Sequence, residues 1–188
     1  DLLGVDVNMT SKEPSVKYRG IFLNDEDPSL TTWTKRRYGG RNHTFYRQVF
    51  ELILRLKGDY LWPAMWGNEF SKDGVEGLAN SDGNTLANAE LADQYGIVMG
   101  TSHHEPLYRA GNEWGQEYSQ YKGSLTLGSA QAWNKYNLPG EEGYDEKINT
   151  AIEKFWRDGV KRNGTFDNLC TVGMRGEADS ELPAANDP

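Results

Sequence analysis

The stretch Lys17-Tyr18-Arg19-Gly20-Ile21-Phe22-Leu23-Asn24-Asp25-Glu26-Asp27, closed by Pro28, decides how the rest of the chain is interpreted. Its first half has three adjacent apolar residues and predicts a strand over residues 17–23 that is buried on both faces. Its second half places four polar or acidic residues directly after that strand. Such a cluster is costly, because like charges repel and burial disfavours the ionised form, and proteins tolerate it mostly where the carboxylates have a chemical role. The stretch therefore predicts a functional site at the end of a buried strand.

The same order of apolar run and polar cluster recurs three times further along the chain. Strands are predicted at residues 60–62, 97–99 and 169–172. Helices are predicted between them, at residues 42–57, 85–95, 107–118 and 145–161. Residues 27–40 are predicted as a loop, 71–88 as a polar surface insertion and 121–144 as an uneven connection.

Two of the predicted helices have a clear apolar face. The first begins at Asn42 as the N-cap, ends before Gly58 and has five residues on its predicted core side: Phe45, Val49, Leu52, Ile53 and Leu56. The other strong helix has a similar predicted core side, formed by Ile148, Ile152, Phe155, Trp156 and Val160. Both helices are expected to pack against the sheet.

Strands that alternate with helices predict a parallel sheet with right-handed crossovers. Four such units make about half of an eight-stranded β/α barrel, in which each strand's carboxyl end contributes to the active site. A doubly wound open sheet also binds ligands at those ends, but its glycine-rich phosphate turn is absent from this sequence. We therefore predict an α/β fold of the (β/α)8 TIM-barrel type, with a lead-in over residues 1–16 and a partial catalytic domain over residues 17–188.

Composition excludes several classes of function. The formal net charge of −8 and the pI of about 4.9 argue against nucleic-acid binding. Mean hydropathy is −0.76, and no apolar run approaches the length of a transmembrane helix. Cys170 is the one cysteine, so no intrachain disulfide forms, and its apolar neighbours predict a small buried side chain.

Three N-glycosylation sequons, at Asn8, Asn42 and Asn163, give weak support for a secreted glycoprotein. The chain begins Asp1-Leu2-Leu3 without an initiator Met, so we expect a fragment of a larger protein. The expected protein partners are the other domains of that protein and, as one option, a second copy in a homodimer.

Six acidic residues would lie together at the rim of such a barrel: Asp25, Glu26, Asp27, Glu105, Glu177 and Asp179. Glycoside hydrolysis needs two carboxyl groups across the scissile bond, and separate strands supply such pairs. The alternative is that these acids cap helices or pair with nearby arginines, among them Arg19, Arg37 and Arg175.

For most of the other polar and aromatic residues near the strand ends, the sequence leaves two interpretations open. His103 or His104 could bind a sugar hydroxyl or lie satisfied in the core, and no second metal-binding motif accompanies them. Trp66 could stack on a sugar ring or fill the core, whereas Trp62 is predicted to fill the core. Arg175 could hold a carboxylate through two hydrogen bonds or pair with a rim acid.

Four segments, in this order, resemble the barrel motifs of glycoside hydrolase family 115. They are Tyr18-Arg19-Gly20-Ile21-Phe22-Leu23-Asn24-Asp25-Glu26-Asp27, Tyr60-Leu61-Trp62-Pro63-Ala64-Met65-Trp66-Gly67, Tyr95-Gly96-Ile97-Val98-Met99-Gly100-Thr101-Ser102-His103-His104-Glu105-Pro106 and Gly173-Met174-Arg175-Gly176. The resemblance implies a xylan α-1,2-glucuronidase. Such enzymes remove glucuronic or 4-O-methylglucuronic acid from glucuronoxylan or aldouronic oligosaccharides with inversion and without a cofactor.

Carried onto this chain, the resemblance implies that Asn24 and Asp25 belong to the site, with Glu26 close by. It implies that His103, His104 and Glu105 lie at the substrate rim. The family continues its last motif with Asp-Gly-Asp, whereas this chain has Glu177-Ala178-Asp179. The leading hypothesis therefore pairs Asp25 with Glu177 or Asp179 as acid and base, while Asn24, Arg175 and a histidine hold the uronate.

Two other hypotheses compete with this one. A metal-dependent β/α-barrel hydrolase would use His103 or His104 with Asp25 and Asp27. A catalytically inactive carbohydrate-binding fragment would account for the altered Glu177-Ala178-Asp179 segment.

Overall fold

The structure is a computed structural model that describes residues 4, 7–24, 28–64, 68–72, 86–102, 105–118 and 138–173. These residues form a mixed α/β fold with one parallel sheet and five α-helices. The strands are β1 (Gly20–Phe22), β2 (Tyr60–Trp62), β3 (Val98–Gly100) and β4 (Asn168–Leu169). The helices are α1 (Ser29–Tyr38), α2 (His43–Arg55), α3 (Ala87–Tyr95), α4 (Gly111–Glu117) and α5 (Glu146–Asn163), and a 3₁₀ turn spans Pro106–Tyr108. None of the described helices combines the length and apolar character needed to cross a membrane.

The sheet has the strand order β1-β2-β3-β4, and every neighbouring pair is parallel. This confirms the predicted parallel sheet, in which a helical crossover separates each strand from the next. Within the described ranges the sheet has four strands. Closure into a barrel therefore stays a prediction.

The two faces of the sheet have different surroundings. Leu61 and Met99 lie in the core formed with α2 and α3, and both are almost fully buried. Because side chains alternate along a strand, Tyr60 and Trp62 lie on the opposite face, which we call the inner face. Trp62 was predicted to fill the core, but it is half-buried on this inner face.

The prediction that β1 is buried on both faces is wrong, because all three of its residues are exposed. Ile21 and Phe22 are 40% and 42% exposed. The prediction that Cys170 is buried is also wrong, since this thiol is exposed just after β4. Both errors have the same cause: β1 and β4 are the two outer strands of the described sheet, so each has a neighbour on one side only.

Helix α2 begins as predicted, because the Asn42 side chain accepts hydrogen bonds from the backbone N–H groups of Thr44 and Phe45. Its core face differs from the prediction, since Leu52 and Leu56 are 50% and 70% exposed. The buried stripe is displaced around the helix, and its members are Phe45, Tyr46, Val49, Phe50 and Ile53.

Helix α5 carries the second apolar cluster. Asp145 caps its start by accepting from the N–H groups of Lys147 and Ile148. Val160 was predicted on the core side but is 44% exposed. The buried cluster is formed by Trp114, Ala151, Ile152, Phe155 and Trp156.

Helix α1 replaces the loop that was predicted over residues 27–40. Its many threonines have a modest helix propensity, which favoured the loop interpretation. Lys35, Arg36 and Arg37 occupy its last turn, where cations interact favourably with the helix dipole. Gly39 then ends it with φ of +78°, a backbone conformation that glycine adopts without strain.

The predicted surface insertion over residues 71–88 is wrong at both described ends. Ser71, Leu86 and Asn88 are buried, and the Asn88 amide donates to the Phe70 carbonyl at 3.0 Å. Residues 73–85 lie outside the described residues. The buried ends therefore belong to the packed part of the fold.

Two of the three predicted glycosylation sites have other roles in the fold. Asn163 is 4% exposed and donates its amide to the Gly159 carbonyl at 3.1 Å. Asn42 caps α2 and donates to the Tyr38 carbonyl at 2.8 Å. Asn8 is exposed. The predicted glycoprotein character therefore depends on Asn8.

Candidate functional site

The candidate site is the edge at which the four parallel strands end, which we call the carboxyl edge. The described residues beyond the strand ends there include Asn24, Asn68, Glu105 and Thr171. Parallel α/β sheets bind their ligands at this edge. Of the ten predicted site residues, the structure describes Asn24 and Glu105. The other eight lie outside the described residues: Asp25, Glu26, Trp66, His103, His104, Arg175, Glu177 and Asp179.

Asn24 is exposed two residues beyond Phe22, the last residue of β1. The Leu23 N–H donates to the Trp62 carbonyl at 2.9 Å, which continues the pairing of β1 with β2 past the strand end. Alternation along this extended backbone puts Asn24 on the same side as Phe22. The predicted site residue Asn24 thus lies at the carboxyl edge of the inner face.

Glu105 is a buried carboxylate, 5% exposed, beyond the end of β3. Its backbone N–H donates to the carbonyl of the fully buried Ser102 at 3.0 Å. Burying an ionisable group is costly unless other groups of the protein compensate its charge. Glu105 therefore lies buried beyond the end of β3, and its role in the site stays a prediction.

The backbone after Glu105 is strained. Leu107 and Tyr108 have φ of +50° and +64°, values that non-glycine residues seldom adopt. This is why the helix predicted over residues 107–118 is divided into a 3₁₀ turn and α4. Backbone strain of this kind persists only where surrounding contacts hold it, and it clusters at functional sites.

Contacts from three other parts of the fold hold this strained turn. The Leu107 N–H donates to the Thr171 carbonyl at 3.0 Å, and the Thr171 hydroxyl donates to the Thr101 carbonyl. From α5, Arg162 Nη2 donates to the Tyr108 carbonyl at 2.8 Å. The ends of β3 and β4 and the C-terminal half of α5 therefore fix the backbone that follows Glu105.

A narrow recess lies behind the carboxyl edge. It is wide enough for a water molecule and too narrow for a sugar ring. Its polar lining comes from the ends of β2 and β3 and from α4, and includes Glu69, Thr101, Glu105, Tyr108 and Glu113. The recess therefore lies between the strand ends and α4 and is not the place where a sugar would bind.

Glu113 is the centre of a buried charged cluster. Its Oε1 lies 2.5 Å from Arg162 Nη1, 3.5 Å from Arg109 Nε and 3.7 Å from Lys72 Nζ. Its Oε2 accepts the Ala110 N–H at 2.9 Å. Burial alone raises the pKa of Glu113, but the hydrogen bond and charge of Arg162, followed by the charge of Arg109 and the Ala110 N–H, lower it further than burial raises it.

The lowered pKa keeps Glu113 ionised, so this carboxylate is unsuited to be a proton donor. Its role is to join α4 to α5, because Arg162 lies on α5 and Glu113 on α4. Sequence reasoning missed this cluster. The available signal was the spacing of four residues that separates Arg109, Glu113 and Glu117, which would put all three on one side of the helix predicted over residues 107–118.

Arg41 is a second residue that sequence reasoning missed. Its Nε donates to Asn68 Oδ1 at 2.5 Å and its Nη1 donates to the Thr31 hydroxyl at 2.6 Å. Asn68 is buried beyond the end of β2, so the Arg41 positive charge lies next to the carboxyl edge. A cation here favours an anionic ligand.

Arg19 is placed where it cannot serve the site. It precedes β1, at the opposite end of the strand from Asn24. Its guanidinium donates to the carbonyls of Lys57, Val16 and Lys17 and lies 3.4 Å from Asp59. The proposed pairing of Arg19 with a rim acid is therefore wrong.

Tyr108 lines the recess with a partly buried phenol. Burial, together with a hydrogen bond to the Cys170 thiol, raises the pKa of the Tyr108 phenol. The phenol consequently stays protonated in the working range of the protein. Among the described residues, no group of three or more His, Cys, Asp or Glu side chains could hold a metal ion.

A parallel sheet flanked by helices, with a buried carboxylate and a cation at its carboxyl edge, defines an α/β protein of the class that binds ligands at this edge. The comparison with known families is more specific. The model described as Glycosyl hydrolase family 115 matches residues 11–187, nearly the whole chain, and the chain belongs to that family. The predicted resemblance is therefore confirmed, and with it glycoside hydrolase character. No curated protein matches the chain.

Proposed function

We propose that this chain carries part of the active site of a xylan α-1,2-glucuronidase, which releases glucuronic or 4-O-methylglucuronic acid from glucuronoxylan or aldouronic oligosaccharides. Family membership supports a glycosidase. The observation that carries the proposal is the carboxyl edge, where Asn24 and the buried Glu105 follow parallel strands in a chain of this family.

In the proposed mechanism Asp25 and one of Glu177 and Asp179 are the acid and the base. The acid protonates the oxygen that links the uronic acid to xylose, and the base removes a proton from a water molecule on the opposite side of the ring. That water attacks the anomeric carbon, the glycosidic bond breaks, and the configuration inverts. Inverting enzymes separate the two carboxyl groups by about 6.5–9.5 Å to leave room for the water.

The remaining predicted residues would bind the sugar. Arg175 would hold the uronate through two hydrogen bonds, while Asn24, Glu26 and Glu105 would bind hydroxyl groups. The other proposed contacts are made by Trp66, His103 and His104. The Arg41 charge next to the edge supports this proposal, because a chain with a net charge of −8 otherwise repels an anionic sugar.

We also propose that the protein acts outside the cell, because a xylan polymer is too large to enter it. Asn8 is then the sequon that an attached glycan would use, since it is exposed. The proposed partners are the polysaccharide, further domains of the same protein and, in a homodimer, a second copy of it.

The deciding experiment measures glucuronic acid released from aldouronic oligosaccharides by the full-length protein. Following the anomeric signal by proton NMR shows whether the configuration inverts. Asp25→Ala should abolish release, while Glu177→Gln and Asp179→Asn, made separately, should identify the partner acid. Undiminished release by Asp25→Ala would remove Asp25 from the mechanism.

The same assay separates the competing hypotheses. Loss of activity with a chelator, restored by a divalent ion, would favour a metal-dependent hydrolase. Binding of the oligosaccharide without any release would favour a catalytically inactive carbohydrate-binding protein.

A further inference from the structure

Two aromatic rings lie together on the inner face at the carboxyl ends of β1 and β2. Phe22 and Trp62 are register partners, with ring centroids 5.0 Å apart and planes tilted by 45°. Leu61, which precedes Trp62, is fully buried in the core on the helix side. Alternation therefore places both rings on the side of the sheet away from α2 and α3.

Beside Trp62, the same row of side chains holds the buried Gly100 and the hydroxyl group of Tyr60. The register of Leu61 with Met99 brings Gly100 beside Trp62, and Gly100 has no side chain. The Tyr60 hydroxyl occupies that place, since it lies 1.8 Å from where a Cβ of residue 100 would be. The two aromatic rings are therefore bordered, on the β3 side, by the Tyr60 hydroxyl group.

Phe22 is the more exposed ring of the pair in the described part of the chain. It is 42% exposed although its register partner Trp62 is half-buried and contacts it. Asn24 follows two residues later on the same side, so the exposed ring adjoins the first residue of the candidate site. The aromatic surface is therefore continuous with the carboxyl edge.

Pyranose rings match this surface chemically. A glucuronic acid ring carries its hydroxyl groups at the equator and presents C–H groups on its faces. Aromatic rings bind such apolar faces, while polar groups around the rim take the hydroxyls. Phe22 and Trp62 would provide the aromatic rings, and the neighbouring Asn24 would provide a polar group for the hydroxyls.

We propose that the Phe22–Trp62 pair is the platform on which the uronic acid ring of the substrate stacks. Phe22 provides the exposed ring and Trp62 fixes its orientation, while Asn24 lies within reach of the sugar hydroxyls. This inference rests on the proposed function and adds to it the surface that selects a six-membered sugar ring.

The test is calorimetric titration of the full-length protein with aldobiouronic acid, in which glucuronic acid is linked to one xylose. Phe22→Leu keeps an apolar side chain and removes the ring, so the dissociation constant should rise about tenfold. Phe22→Tyr keeps the ring and should stay within about twofold of the original protein. Ile21→Ala is the matched control, because Ile21 is 40% exposed on the other face of the same strand.

Xylobiose, which lacks the uronic acid, is the control ligand. Its affinity should be the same in Phe22→Leu as in the original protein. A loss of xylobiose affinity equal to the loss for aldobiouronic acid would overturn the assignment of the uronic acid ring to this platform. Near-ultraviolet circular dichroism checks that each variant is folded, and Phe22→Met replaces Phe22→Leu if the latter is not.

The outcomes separate this inference from the proposed function. If the original protein binds and cleaves but Phe22→Leu behaves like Ile21→Ala, the platform is overturned and the glucuronidase function stands. If the original protein binds without cleaving and Phe22→Leu binds about tenfold more weakly, the platform is supported and the catalytic function is overturned. Absence of binding by the original protein overturns both.

Discussion

Replacing Glu113 with Gln removes the negative charge from the centre of the charged cluster while keeping the size of the side chain. Glu113 is 1% exposed and lies within 4 Å of three cations: Lys72, Arg109 and Arg162. Arg162 in turn donates to the Tyr108 carbonyl in the strained turn behind Glu105. The substitution therefore tests whether this cluster holds the backbone of the candidate site.

The expected loss of unfolding free energy follows from the burial of Glu113 and its partner Arg162. Removing one partner of a buried ion pair costs about 3–5 kcal/mol, because the other charge stays buried and uncompensated. Gln can still accept the Ala110 N–H through its amide oxygen, so we expect the lower end, about 3 kcal/mol. For a chain of this length about 3 kcal/mol corresponds to a fall in melting temperature of roughly 6–12 °C.

Urea denaturation, followed by circular dichroism, measures this change in the free energy of unfolding. Glu51→Gln is the matched control. It removes the same charge from an exposed pair with Arg55, in which the Glu51 side chain is 46% exposed. An exposed pair of this kind contributes about 0.5 kcal/mol or less. Equal losses in the two variants would show that the buried cluster is not a structural link.

The pH dependence of the free energy of unfolding is a second test of the Glu113 ion pairs. Because the pKa of Glu113 is lowered in the folded protein, its contribution is complete above the ordinary Glu value of about 4.3. The contribution disappears as the pH falls through the lowered folded pKa. The difference between the original protein and Glu113→Gln should therefore be constant near neutrality and shrink below about pH 4. A difference that grows on acidification would contradict the direction of the shift.

Three further predictions concern the site and the fold. Asp25→Asn should lower the rate of glucuronic acid release by about 10²–10⁴-fold, the usual contribution of a general acid or base, as measured with aldouronic oligosaccharides. Gly100→Ala should destabilise the protein by about 1–3 kcal/mol, because the new Cβ would meet the Tyr60 hydroxyl. Adding Tyr60→Phe should recover part of that loss in thermal denaturation. If stability does not recover, the clash with the Tyr60 hydroxyl is not the cause. Asn42→Ala should cost about 1 kcal/mol by removing the cap of α2, and an unchanged melting temperature would show that the cap contributes nothing.

Part of the candidate site could be predicted from sequence. Polar clusters after apolar runs identified the carboxyl edge, and Asn24 and Glu105 both lie there. Glu113 was missed because its main partner, Arg162, is 49 residues away in the chain. Arg41 was missed for the same reason, since Asn68 is 27 residues away. Pairings over such distances exist only once the helices have packed.

Local features of the fold were predictable because they depend on neighbours within one helical turn. The Asn42 and Asp145 caps each bind N–H groups two and three residues ahead, so the cap residue and its partners lie in the same short stretch. Gly96 ends α3 with φ of +67°, as its position after Tyr95 indicated. The alternation of strands and helices likewise required parallel pairing, because each strand must cross over before the next.

By itself, the sequence determined the parallel α/β order, the capped starts of α2 and α5 and the family to which the chain belongs. Only the tertiary structure decided which residues are buried: Leu52 and Val160 are exposed although the helical period placed them on the core side, and Cys170 and Phe22 are exposed although their neighbours are apolar. The physical reason is that caps and strand order depend on short stretches of chain, whereas burial depends on what packs against a residue from elsewhere. The opening stretch shows both: its strand follows from its apolar residues, and the exposure of Phe22 follows from the place of β1 at the edge of the described sheet.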